Sequence, residues 1–113
     1  MGTESCGCGG SEPELEYYRP LADVMSLLGK KYALETISII DSHGPMRFKT
    51  LQRHLPEASS KTLSDRLEQL VDEGLVTRTQ YEEIPPRVEY ELTMEGRDLR
   101  RNLEPLLDWS TTR

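Results

Sequence analysis

The chain has 113 residues, a net charge of −6, 35% hydrophobic and 30% charged residues, which leaves room for one domain with a modest core. No stretch reaches the roughly 18 apolar residues of a membrane span. The Gly-, Glu- and Ser-rich start lacks the basic-then-apolar layout of a secretion signal, so the cytoplasm is the default compartment. The acidity is uneven, with −4 on residues 1–29, −1 on 30–90 and −1 on 91–113, so the middle can still present a basic face.

Residues 1–13 read as a flexible Gly-rich tail, and 14–113 as the folded domain. Pro20 is expected to open a helix whose apolar positions Leu21, Val24, Met25 and Leu28 recur at helical spacing up to Gly29. A second helix is expected over 30–42, with Tyr32, Ala33, Thr36, Ile37 and Ile40 on one stripe, stopped by Gly44-Pro45. Met46-Arg47-Phe48 is short enough to pair as a strand. The run from Phe48 to Leu55 puts Phe48, Leu51 and Leu55 on one side, and Pro56 closes it.

Ser59 or Ser60 then caps a longer helix with Leu63, Leu67, Leu70 and Val71 as its core stripe, terminated by Gly74. Leu75 to Tyr81 is strand-like. The segment 82–87, with Pro85 and Pro86, forbids regular pairing, because proline has no donor. Val88, Tyr90 and Leu92 alternate with Glu89, Glu91 and Thr93, the period of a half-buried strand. Thr93 caps a last helix with Leu99, Leu103, Leu106 and Leu107 on one face, and Pro105 is expected to kink or shorten it.

Two short helices joined by a tight turn and followed at once by a hairpin give a winged helix-turn-helix. The fold class is α+β, mostly helical, with extra N- and C-terminal helices available for dimerisation. In this architecture the second helix of the pair enters a major groove about 12 Å wide, and its opposite side is anchored by an apolar stripe. The face left over by Leu63, Leu67 and Leu70 carries Ser60, Lys61, Thr62, Ser64, Asp65 and Arg66. Short hydroxyls and long cations suit base edges and phosphates. With Lys49 and Arg53 on the preceding helix and Arg87 at the hairpin tip, the DNA-binding set is Lys49, Arg53, Ser60, Lys61, Thr62, Ser64, Arg66 and Arg87. Double-stranded DNA is the expected partner. No catalytic residues, cofactor or metal site are expected, since no nucleophile–base pair, phosphate loop or complete ligand set is present.

Several segments together are similar to the HxlR-type family of winged helix regulators. They are Leu28-Gly29-Lys30-Lys31-Tyr32, Gly44-Pro45-Met46-Arg47-Phe48, Leu55-Pro56, the run Ser60 to Leu67, and Gly74-Leu75-Val76. The most specific is Pro85-Pro86-Arg87-Val88-Glu89-Tyr90-Glu91-Leu92-Thr93 with Gly96. The resemblance covers about residues 19–109. It implies a homodimer built from the first and last helices, one recognition helix per half-site of a pseudo-palindrome, wings over the flanking backbone, and no catalysis. Many members place a cysteine directly before the proline of the first helix, and here that position is Arg19. Thiol sensing by that route is therefore not expected.

The remaining residues have plainer readings. Cys6 and Cys8 form a Cys-x-Cys pair in the tail, too few ligands for a tetrahedral zinc site, and read as mobile thiols, with a redox or metal contact as the alternative. His54 reads as a solvated surface residue, with a phosphate contact as the alternative, and His43 as a C-terminal turn residue. The second functional reading is a winged helix used as a protein-interaction module, which the acidic total favours.

Overall fold

The computed structural model describes the backbone of residues 11–113 and the side chains from residue 15 onward. Cys6, Cys8 and the readings made of them lie outside the described residues. The chain divides into two compact units, one ending at Lys30 and one running from Lys31 to Arg113.

The first unit contributes α1 (Ser11–Leu28). It starts before the expected position, so residues 11–13 belong to the helix and Pro20 lies inside it. A proline in a helix interior removes one hydrogen bond to the carbonyl four residues back, here Glu16. Glu16 and Pro20 are both exposed, so water can satisfy that carbonyl.

The second unit holds α2 (Ala33–His43), α3 (Phe48–His54), α4 (Ser60–Asp72), a hairpin of β1 (Val76–Tyr81) and β2 (Arg87–Leu92), and α5 (Met94–Thr112). α2 begins three residues later than expected because Tyr32 sits in the left-handed region at φ 72°, outside any right-handed helix. The Tyr32 carbonyl instead accepts from Thr36, at 3.0 Å from its N–H and 2.6 Å from its hydroxyl. That bond satisfies the hydroxyl of the fully buried Thr36.

The expected strand at Met46 shrinks to a single residue. Met46 and Tyr90 exchange two backbone bonds, at 3.0 and 2.8 Å, while Phe48 already starts α3. Pro105 does not shorten α5, which runs through it to Thr112. Arg101, whose carbonyl loses its partner, is exposed, as is Pro105.

The core comes from the expected stripes. Ile37 and Ile40 of α2, Leu51 of α3, Leu63, Leu67 and Leu70 of α4, and Val76 of β1 are all essentially inaccessible. α2 packs against α3, α4, α5 and β2, which makes it the central helix of this unit. The hairpin is antiparallel, with Val76 opposite Leu92 and Tyr81 opposite Arg87. β2 shows no clean alternation, because residues 87–91 are all half-buried and only Leu92 is buried.

The foot of the hairpin is locked onto the start of α5. Gly74, at φ 80°, ends the α4 segment in a conformation that costs glycine little. The Thr93 hydroxyl donates to the Gly74 carbonyl at 2.7 Å and accepts from the Gly96 N–H at 3.0 Å, so it caps α5 as expected. A Cβ on Gly96 would stand 2.2 Å from the Leu75 carbonyl oxygen, so no larger residue fits there without moving backbone.

Candidate nucleic-acid interface

α4 is set up as a reading helix by what it buries. Leu63 and Leu70 are 0% exposed and Leu67 1%, which fixes the helix's rotation about its axis. Its start is well capped, since the Ser59 Oγ accepts from the Thr62 N–H at 3.1 Å and donates to the Thr62 hydroxyl at 3.0 Å. The opposite face presents Ser60, Lys61 and Ser64, all exposed, at the N-terminal half. The C-terminal half of that face turns acidic, with Asp65, Glu68 and Asp72. A phosphate approaching the N-terminal end therefore meets Lys61 and the positive end of the helix dipole, and one approaching the C-terminal end meets carboxylates.

The sequence-derived DNA-facing residues divide by how they are held. The Lys61 ammonium lies 3.2 Å from Asp65 across one helical turn, but its side chain is 85% exposed, a pairing worth only about 0.3–0.5 kcal/mol and readily exchanged for a phosphate. Ser64 is exposed and makes no side-chain bond among the described residues. The Ser60 hydroxyl accepts from the Gln52 amide at 2.8 Å, which ties α3 to α4 across their turn. Thr62 is half-buried and engaged by the cap.

Arg66 is turned away from solvent-facing work. Its Nε donates to the Lys31 carbonyl at 2.9 Å and its Nη1 to the Gln69 side-chain oxygen at 3.0 Å, so the guanidinium fastens α4 to the chain just before α2. Lys49 and Arg53, one turn apart on α3, are both exposed and line a shallow depression with Gln52 and Pro56.

Arg87 is not at the hairpin tip. It is the first residue of β2, opposite Tyr81, and residues 82–86 form the tip. Its side chain lies 3.2 Å from the Glu83 carboxylate, and its buried Nε lies 3.7 Å from Glu89, too long for a hydrogen bond. The guanidinium carbon also stacks 4.2 Å above the Tyr81 ring. Two carboxylates and a ring thus surround the one cation expected to serve flanking phosphates. The local sequence contained the signal, because Glu83 and Glu89 flank Arg87 and a tight local turn folds Glu83 back onto it. Gln52 was missed entirely, since its bond to Ser60 joins residues eight apart on different helices.

Comparison with known proteins gives a consistent picture. Residues 27–113 match the model of the HxlR-like helix-turn-helix family. An HTH-type transcriptional regulator of Halalkalibacterium halodurans is 39% identical over 90 residues, covering 80% of each chain. An HTH-type regulator of Synechocystis is 41% identical over 81 residues, 72% of this chain and 59% of that one. The reduced form of the Bacillus subtilis transcriptional regulator YodB superposes with a TM-score of 0.76 at 32% identity, covering 81% of this chain and 89% of the other.

Proposed function

The chain belongs to the HxlR-like helix-turn-helix family of transcriptional regulators, not to an enzyme family, and we propose that it binds pseudo-palindromic operator DNA as a sequence-specific homodimer. The observation that carries this reading is the division of α4. Three leucines anchor one side completely, while Ser60, Lys61 and Ser64 stand exposed at the N-terminal half of the other. In helix-turn-helix readers that half of the second helix contacts base edges. Lys49 and Arg53 on α3 supply phosphate contacts beside it, and Ser60 has a second role in holding α3 and α4 together. Thr62, Arg66 and Arg87 serve chiefly to hold the cap, the helix and the wing in place.

Dimerisation is supported by apolar surface that a monomer of this size has no reason to expose. On α1, Leu15, Tyr17, Tyr18, Leu21 and Met25 are exposed, and on α5, Leu106 and Trp109. Leu28 and Leu103, on the apolar faces of the first and last helices, are buried within the single chain. A twofold arrangement covering these faces would present two α4 helices about 34 Å apart, one turn of DNA. None of the described helices is long and apolar enough to cross a membrane, which fits a cytoplasmic regulator.

The acidic total of −6 and the neutralised Arg87 favour a second reading, a winged helix that binds protein and not DNA. One titration separates them. Fluorescence anisotropy against genomic duplexes and scrambled controls, at several salt concentrations, should find a duplex bound far more tightly than its scrambled counterpart, with affinity falling as salt rises. Equal binding to all duplexes removes the sequence specificity, and binding to none transfers the function to a protein partner. Sedimentation velocity at micromolar concentration should show twice the 12.9 kDa chain mass, and a stable monomer removes the homodimer.

A further inference from the structure

We propose that His43 and His54 form a two-imidazole site for a divalent transition-metal ion of the nickel and copper type. His43 is the last residue of α2 and His54 the last of α3, and both are exposed. Folding brings their rings to a centroid separation of 4.4 Å, with the planes inclined at 59°. These are the only two histidines in the chain.

The tautomer of each ring follows from its hydrogen bond. Nδ1 of His43 lies 3.0 Å from the Ile39 carbonyl oxygen, and Nδ1 of His54 lies 2.9 Å from that of Thr50. A carbonyl only accepts, so Nδ1 carries the proton on both rings, and in the neutral imidazole the free lone pair is on Nε2. Metal-binding histidines are commonly oriented in this way, with one nitrogen donating to a carbonyl and the other ligating. The pair also sits where the α2 carbonyls end, and the partial negative charge there favours a cation.

Imidazole nitrogen is a good ligand for copper and nickel, which stand high in the affinity order of the divalent first-row metals. Among the described residues no group of three or more His, Cys, Asp or Glu side chains gathers around an ion, so water fills the other positions and the ion exchanges readily. A bound ion would bridge α2 to α3, and the Gln52–Ser60 bond continues that link into α4.

The test uses the full chain without a histidine tag, carrying Cys6→Ser and Cys8→Ser so that no thiolate competes. Nickel(II) is titrated and followed by calorimetry and by the NMR signals of the two imidazole rings. Both rings should broaden together and saturate at one equivalent per chain, and the melting temperature should rise with nickel concentration. His43→Asn and His54→Asn keep a side-chain N–H where Nδ1–H stood but remove Nε2. Each should weaken nickel binding by about tenfold or more and abolish the thermal shift. Broadening of one ring alone, no saturation, or unchanged affinity in either folded variant overturns the site. If a variant fails to fold, joint broadening of both rings in the parent chain still decides the question.

Discussion

α4 and the β1–β2 wing carry two cations each, and each element leaves one exposed, Lys61 and Arg78, while it engages the other. On α4, Lys61 stands in solvent with a partner it can exchange, while Arg66 is committed to a backbone carbonyl. On the wing, Arg87 is held by Glu83, Glu89 and the Tyr81 ring, and the tip around it adds the exposed Glu82 and Ile84. Having a cation at a plausible position is thus not the same as offering its charge. Lysine suits the exchangeable role, because its ammonium is a flexible point charge, and arginine's fork suits fixed multidentate contacts.

The largest effect should separate the two regions by stability. Leu67→Ala, at a position 1% exposed, should cost about 2–5 kcal/mol in urea unfolding, because it opens a cavity under the reading helix. Val88→Ala on the half-buried wing should cost less than half as much in the same experiment. Equal losses would mean that the wing is as rigidly anchored as α4.

The next contrast is in DNA binding. Lys61→Ala should reduce discrimination between cognate and scrambled duplexes by about 1–3 kcal/mol, as expected for loss of a base contact. Arg87→Ala should change affinity for either duplex by less than Lys61→Ala does, because its charge is already matched. A larger loss from Arg87→Ala on both duplexes would show that DNA draws the arginine out of its carboxylate pocket.

Removing the pocket sharpens the same point. The double substitution Glu83→Gln, Glu89→Gln should release Arg87 and steepen the dependence of log affinity on log salt by about one, the signature of one added phosphate contact. An unchanged slope would place the wing away from the backbone. The smallest effect belongs to the tip, where Ile84→Ser, at a fully exposed residue, should shift unfolding by no more than about 0.5 kcal/mol.

Much of the second unit was legible because its helices are amphipathic at regular spacing. The Leu63, Leu67 and Leu70 stripe specified both a helix and its buried side, and Ser59 or Ser60 with Gly74 marked its ends, of which the structure uses Ser59 as the cap. The Thr93 cap was equally local, needing only the hydroxyl and the amide three residues on. The exposed residues of the candidate interface follow directly from that stripe, so Lys61 and Ser64 could be placed from spacing alone.

The departures from expectation have separate causes. By sequence alone Pro20 marks a boundary and Pro105 a disruption, but both helices run through because each interrupted carbonyl belongs to an exposed turn that water can serve. Tyr32 adopts a left-handed φ that no local pattern announces, and it moved the start of α2.

What the sequence determined by itself was the family, the order of elements and the faces of the helices, because periodicity and capping act within a few residues. The long-range engagement of polar and charged groups was decided by tertiary structure alone. Arg66 meets a carbonyl 35 residues away, Gln52 reaches Ser60 across a turn, and His43 meets His54 only because α2 and α3 end side by side. Such contacts depend on how helices pack, and packing follows from shape complementarity over the whole core, which no short window of residues contains.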